Sequence, residues 1–156
     1  MHHAPGSDSP ATHKTSAAEP HLELTRDVEG GSAQMREVRA ELRSELHSWQ
    51  LGERVANAVL DVAHELVVNA HQHGTPPVRL RVTVGIAEVR VEVYDASSVP
   101  ARLLPYRPGV SEHGLGLQLV RQLSITWGQT LQDAERSEPA GKFVWAIFPR
   151  PTGTSG

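Results

Sequence analysis

The sequence contains no cysteine, no long apolar run and no dense run of lysine or arginine. Without cysteine, disulfides and thiolate metal sites are excluded, which is typical of a cytoplasmic protein. No apolar stretch approaches the roughly 20 residues that span a bilayer, and the N-terminus lacks the apolar segment of a secretory signal. The formal net charge of −3 argues against direct nucleic-acid binding, which ordinarily needs a basic face.

The chain of 156 residues is long enough for one domain with a buried core. Residues 1–20 are rich in Pro, Ser, Ala and His, and residues 150–156 have a similar polar character. We therefore predict a disordered tail at each end, because neither segment can bury enough apolar surface to order itself. The predicted domain spans residues 21–149.

Two amphipathic helices are predicted in the first half of this domain, after a short strand at 21–25. Apolar residues of the first helix recur at spacings of three and four, namely Met35, Val38, Leu42, Leu46 and Trp49. Gly52 is placed to end this helix. A second helix is predicted from Glu53 to Gly74, where a glycine suits a left-handed cap.

Alternating apolar residues then predict an antiparallel hairpin, with strands at 78–84 and 89–95. Residues 96–113 contain prolines and little periodicity, which predicts a long loop. A helix and two strands follow, at 114–124, 124–131 and 141–149. This order of elements predicts an α+β fold, a two-layer sandwich with a mostly antiparallel sheet and helices packed on one face.

The segment HELVVNAHQHG, residues 64–74, carries the first chemical signal. Glu65, Asn69 and His73 are spaced four residues apart on the second helix. Glu65 and Asn69 lie together at one edge of the apolar stripe, and His73 is predicted under the stripe at the helix end. A carboxylate and a carboxamide in this arrangement can face one common object, although both can also be solvated edge residues.

A zinc site on this helix is excluded by spacing. A zinc-protease helix would need a second histidine where the sequence has Val68. His64 and His71 share a face, but they are about 10 Å apart along the helix axis, so one zinc ion cannot bind both.

Two later segments are ambiguous when each is taken alone. Asp95 ends a strand, where it is either an acceptor for a ligand amine or a turn-starting aspartate. Gly114 and Gly116 lie where a loop becomes a helix, so a phosphate can approach the backbone and the free N–H groups of the helix start. Neither the dinucleotide fingerprint nor the phosphate-loop pattern is complete here.

The ordered set of these three segments is more specific. Glu-x-x-x-Asn on a helix, a strand-end Asp 26 residues later, and Gly-x-Gly opening a helix together resemble the GHKL (histidine kinase/gyrase-like) ATPase superfamily over roughly residues 22–149. The chain looks most like the stand-alone anti-sigma-factor serine/threonine kinases of bacteria. ELVVNAHQHG at 65–74 matches their ELVxNAxxHG, and GKFVW at 141–145 matches their GKxVW.

This resemblance implies a role for each matching residue. Asn69 would ligate a Mg²⁺ ion that also binds the ATP phosphates, and Glu65 would be the general base for a substrate hydroxyl. Asp95 would accept a hydrogen bond from the adenine amino group, with residues 96–113 as a short lid. The other implied ATP-binding residues are His73, Ser97, His113, Gly114, Leu115, Gly116 and Leu117.

The chain departs from the family pattern at three places. Kinases of this type tend to have an arginine just before or within the glycine box, where this chain has Glu112, His113 and Leu115. The glycines that follow the aspartate in the wider superfamily are absent from DASSV. Phe143 stands where a threonine often helps the aspartate to hold adenine.

The leading hypothesis is therefore an enzyme that phosphorylates a serine or threonine of an anti-anti-sigma antagonist and sequesters a sigma factor. The missing arginine favours an alternative, a non-catalytic ATP-gated binding module. A histidine-kinase fragment is a third reading, disfavoured because no phosphoacceptor hairpin precedes residue 32. The resemblance also implies a homodimer through the 21–25 region.

Overall fold

The structure is a computed structural model that describes residues 22–101, 116–133 and 140–152. In chain order its elements are β1 (Leu22–Asp27), α1 (Ser32–Ser48), α2 (Glu53–His73), β2 (Arg79–Val84), β3 (Glu88–Asp95), α3 (Gly116–Leu123), β4 (Thr126–Gln132) and β5 (Gly141–Pro149). No helix within these ranges combines the length and the apolar composition that crossing a membrane requires. The predicted tail at 1–20 lies outside them.

The five strands form one sheet in the order β1-β2-β3-β5-β4, and every neighbouring pair is antiparallel. Strands β3 and β5 are interior strands with a partner on each side. Their register pairs Val93 with Val144 and Asp95 with Lys142. The predicted α+β fold with an antiparallel sheet is confirmed.

The helices pack on one face of this sheet. Because side chains alternate along a strand, every second residue of β3 and β5 points into the core. The buried apolar residues of these two strands on that face are Val89, Val91, Val93, Val144, Ala146 and Phe148. The predicted stripe of α2 packs against them through Val59, Val62, Leu66 and Ala70, which are all buried.

The connection between α1 and α2 differs from the prediction. Helix α1 ends at Ser48, and Gln50 follows with a positive φ of 56°. Gly52, predicted to end the first helix, instead has a φ of 79° and is the residue before α2. Its carbonyl accepts the Ala56 N–H at 3.0 Å, which is the first hydrogen bond of the helix. The positive φ of this glycine therefore serves the start of α2.

The end of α2 also differs from the prediction. Gly74 has φ −95° and ψ −170°, which is extended backbone, so the expected left-handed cap is wrong. Its N–H donates to the Ala70 carbonyl at 2.8 Å and closes the last helical turn. His73 is exposed and does not lie under the apolar stripe, because the buried part of that stripe ends at Ala70.

The other face of the sheet carries a charged and aromatic surface. Arg81 and Arg90 both form ion pairs with Glu92, which is only 8% exposed. The Arg90 guanidinium also lies 4.9 Å from the ring centroid of Trp145, a cation–π contact. This network orders polar side chains on the face that the described helices leave uncovered.

Candidate functional site

The end of the helix motif of α2 contacts the predicted strand-end acid, Asp95. Glu65 and Asn69 are both partly buried on this helix. The two residues that follow the helix, Gly74 and Thr75, contact Asp95 at the end of β3. Asn69 is about 7.5 Å along the helix axis from Gly74, at 1.5 Å per residue. The helix motif and the strand-end acid are therefore neighbours.

Asp95 is held by backbone donors from two segments. Its Oδ1 accepts the Ser97 N–H at 2.8 Å and the Thr75 N–H at 3.3 Å. The Ala96 N–H in turn donates to the Thr75 carbonyl at 2.7 Å, which joins the chain after β3 to the chain after α2. The bond to Ser97 is the one that a turn-starting aspartate makes. A surface turn would leave the carboxylate in water, whereas Asp95 is only 1% exposed.

Lys142 forms a buried ion pair with Asp95. Its Nζ lies 3.1 Å from Oδ2 and 3.2 Å from Oδ1, and its side chain is 3% exposed. The two residues are direct partners in the β3–β5 ladder. Lys142 lies in the GKFVW segment but is not among the residues predicted for the site, although its alternation with Val144 indicates that it faces the core. What alternation does not give is the register that brings it to Asp95.

Phe143 lies on the opposite face of the sheet from Asp95. It pairs with Tyr94 in the ladder, and the two ring centroids are 5.2 Å apart. The expectation that residue 143 adjoins the adenine acceptor is therefore wrong, because neighbouring residues of a strand point to opposite faces. In this structure the side chain beside the aspartate is that of Lys142.

The glycine box is described only from Gly116 onward. Gly116 is the first residue of α3, where the sequence predicts that a loop becomes a helix. Helix α3 packs against α2 and contributes the buried Val120 to the core. Its N-terminal end therefore belongs to the helix layer that carries Glu65 and Asn69. His113, Gly114, Leu115 and the side chain of Leu117 lie outside the described part of the structure.

Two further residues of the predicted site, His73 and Ser97, have no contact with Asp95 through their side chains in the described hydrogen bonds. His73 is exposed on the last turn of α2. The Ser97 hydroxyl accepts the Val99 N–H at 3.1 Å, so this side chain supports the chain that leaves β3. The ATP-binding role of both residues stays a prediction.

A separate groove lies on the other edge of α2, next to α1. It has a volume of about 620 Å³ and is lined by residues including Met35, Arg36, His64, Val67 and His71. The buried Nδ1 of His64 has no hydrogen-bond partner among the described residues. Within these residues no three His, Asp or Glu side chains gather into a metal site. The groove does not include Glu65, Asn69 or Asp95.

Residues 28–148 match a family model described as the histidine kinase-like ATPase domain. The matched segment runs from the residue after β1 to the next-to-last residue of β5, and it includes Glu65, Asn69, Asp95 and Lys142. No curated protein matches the chain.

Proposed function

The chain belongs to the histidine kinase-like ATPase family and is therefore an ATP-binding domain, and on that premise we propose that it is a cytoplasmic regulatory kinase of the anti-sigma type. It transfers the γ-phosphate of ATP to a serine or threonine of an anti-anti-sigma antagonist, and it sequesters a sigma factor. The observation that carries this proposal is the junction of Gly74 and Thr75 with Asp95, which joins the helix motif to the strand-end acid.

Asp95 is suited to select adenine. Its carboxylate is buried and held in one orientation, so an amino group of the base gains a charge-assisted hydrogen bond there. Guanine presents a carbonyl oxygen at the same ring position, which would meet the carboxylate without a proton between them. A site built to accept a donor rejects such an analogue strongly, because its buried polar group is left without a partner.

Asn69 and Glu65 supply the groups that the phosphates and the substrate hydroxyl need. The Asn69 carboxamide oxygen is a hard ligand of the kind that Mg²⁺ takes together with phosphates and water. When bound, Mg²⁺ neutralises charge on the phosphates. The Gly116 end of α3 provides backbone N–H groups for the same anion. Glu65, one turn before Asn69, accepts the proton of the substrate hydroxyl.

In the resulting reaction the substrate hydroxyl oxygen forms a bond to the γ-phosphorus of ATP. The bond from that phosphorus to the β,γ-bridging oxygen breaks, ADP leaves, and the hydroxyl proton passes to Glu65. Phosphorylation places about two negative charges on the antagonist. The added charge weakens docking of the antagonist, so that the kinase is free to hold the sigma factor.

A non-catalytic ATP-gated binding module is the second candidate. It is favoured by the absence of an arginine just before or within the glycine box, at Glu112, His113 and Leu115. A cation at such a place stabilises the charge that develops on the transferred phosphoryl group. The module would bind ATP with the same residues, and the nucleotide would select the shape that binds the partner.

Calorimetry with ATP, ADP and GTP, each with and without Mg²⁺, tests the ligand and the base preference. We expect Asp95→Asn to weaken ATP binding and Asn69→Ala to remove its Mg²⁺ dependence. Asn57→Ala is the matched control, because Asn57 is an exposed asparagine of the same helix. Equal affinities for ATP and GTP would contradict the role of Asp95.

A transfer assay separates the kinase from the binding module. The protein is incubated with γ-labelled Mg-ATP and a candidate antagonist protein, and phosphoserine and phosphothreonine are measured. We expect labelling that Glu65→Ala abolishes and that Glu53→Ala, a glutamate at the start of the same helix, leaves unchanged. ATP binding without any labelled antagonist would favour the second candidate.

A further inference from the structure

We propose that Lys142 is a second base-reading residue, which donates a hydrogen bond to a ring nitrogen of the adenine whose amino group Asp95 accepts. This inference rests on the proposed function, because it concerns the same nucleotide. It assigns a specificity role to the lysine of the GKFVW segment, a residue to which the resemblance gives no role. The Asp95–Lys142 ion pair leaves part of its hydrogen-bonding capacity unused within the described residues.

The two oxygens of Asp95 are used unequally. Oδ1 takes the N–H groups of Thr75 and Ser97 and also lies 3.2 Å from Lys142 Nζ. Oδ2 has only Lys142 Nζ, at 3.1 Å, as a partner among the described residues. Since each carboxylate oxygen accepts about two hydrogen bonds, the free acceptor position is on Oδ2. An amino group that binds there shares its acceptor atom with Lys142.

Lys142 has donor capacity to spare. Its ammonium group carries three N–H bonds, and within the described part of the chain its hydrogen-bond partner is the Asp95 carboxylate alone. The side chain is 3% exposed. An N–H group that is buried without an acceptor costs free energy, so a ligand acceptor at this place would be stabilising.

Adenine has the complementary pattern. Its amino group is flanked by two ring nitrogens, N1 and N7, and both are hydrogen-bond acceptors. When the amino group donates to Oδ2, a second donor on the same oxygen can approach the adjacent ring nitrogen to hydrogen-bond distance, about 3 Å. The Asp95 carboxylate thus accepts from the adenine amino group, and the neighbouring Lys142 ammonium group donates to the adjacent ring nitrogen.

The position of the pair in the ladder supports a ligand role. The preceding pair on the same face is Val93 with Val144, both buried. Burying an ion pair is costly, and an apolar pair of similar volume is often as stable or more stable. The next pair on this face, at the strand end that Gly74 and Thr75 contact, is the charged pair Asp95 and Lys142. A ligand that uses both charged groups accounts for that placement.

Calorimetry with ATP, 1-deaza-ATP and 7-deaza-ATP tests the inference, because each deaza analogue lacks one of the two ring nitrogens. We expect the wild type to bind one analogue about tenfold more weakly than ATP, the effect of one lost charge-assisted hydrogen bond. In Lys142→Met, ATP binding should weaken about tenfold and the difference between ATP and that analogue should disappear. Arg81→Met, which removes an ion-paired arginine on the opposite face, should keep the wild-type pattern.

Equal affinities of the wild type for all three nucleotides would overturn the role of Lys142, and this result does not depend on whether the variant folds. A deaza penalty that persists in folded Lys142→Met would also overturn it, since another group would then read the ring nitrogen. Both results leave the proposed function intact if Asp95→Asn still weakens ATP binding. If the wild type binds none of the nucleotides, the proposed function fails and this inference fails with it.

Discussion

Gly74 and Asp95 approach each other so closely that no side chain fits at position 74. A Cβ atom on Gly74 would lie 2.5 Å from Asp95 Cγ and 2.5 Å from the Ala70 carbonyl oxygen. The hydrogen bond from the Thr75 N–H to Asp95 Oδ1 depends on this approach. The glycine that ends the helix motif is therefore required by the contact between α2 and β3.

Gly74→Ala should damage both the fold and the nucleotide site. We expect a loss of about 1–3 kcal/mol in the free energy of unfolding, the usual cost of forcing extra atoms into a packed region, and weaker ATP binding because Asp95 is displaced. Urea unfolding and calorimetry measure the two effects. Gly31→Ala is the control, since an added Cβ at Gly31 meets no atom within 4 Å. Equal stability of the two variants would show that the site relaxes without cost.

The ion pair between Asp95 and Lys142 should be visible as an energetic coupling. Removing one partner of a buried pair leaves an uncompensated charge and typically costs about 3–5 kcal/mol. We therefore expect Lys142→Met and Asp95→Asn each to lower the free energy of unfolding, and the double variant to lose less than the sum of the two. Denaturant unfolding of the four proteins completes the cycle. Strict additivity would mean that the pair does not interact in solution.

The uncovered face of the sheet has its own tightly packed contact. A Cβ on Gly128 would lie 2.5 Å from Cζ2 of Trp145, so the indole covers this glycine of β4. Gly128→Ala should displace Trp145, change the near-ultraviolet circular dichroism, and destabilise the fold by about 1–3 kcal/mol. Gly85→Ala should have little effect, because its added Cβ would meet Glu88 O at an ordinary 3.6 Å. An unchanged aromatic signal in Gly128→Ala would contradict the packing.

The ion pair between Arg26 and Glu41 should make a small pH-dependent contribution to stability. The hydrogen bond from Arg26 lowers the pKa of Glu41 from its ordinary value. A carboxylate with a lowered folded-state pKa stabilises the fold above its unfolded pKa, and the contribution disappears as the pH falls through the folded value. The Arg26 side chain is 43% exposed and that of Glu41 is 40% exposed, so solvent screens the pair.

We expect Glu41→Gln to lose under about 1 kcal/mol of unfolding free energy at pH 7. The difference from the wild type should begin to shrink at about pH 4, where glutamates in unfolded chains become protonated, and vanish once the pH falls below the lowered folded-state pKa of Glu41. Unfolding curves at several pH values measure this effect, with Glu37→Gln, an exposed glutamate of the same helix, as the control. A difference that persists at low pH would mean that Glu41 acts through packing and not through its charge.

Local periodicity was sufficient to predict the elements that carry the site. The predicted bounds of β5 are those of the structure, and the second helix differs only at Gly74. The stripe of apolar residues in that helix is strong enough to fix both its length and its buried face. The α+β fold followed from the order of such elements along the chain.

Features that depend on register or on distant contacts could not be predicted from the sequence. A shift of one residue in a strand moves a side chain to the other face. The resemblance assigns the position beside the aspartate to Phe143, whereas the register of β3 with β5 gives it to Lys142. The role of Gly74 depends on Asp95, a residue of another element. The order of the strands is likewise set by the packing of the whole sheet.

The Asp95–Lys142 pair lies on two interior strands, β3 and β5, of the sheet. Both strands have hydrogen-bonded neighbours on each side, and amides in such strands generally exchange with solvent only when the whole domain unfolds. A nucleotide held by this pair would therefore be linked to the global unfolding equilibrium. At a concentration one hundred times its dissociation constant it would add about 2.7 kcal/mol to stability, and hydrogen exchange would slow across the entire sheet and not only at the residues in contact.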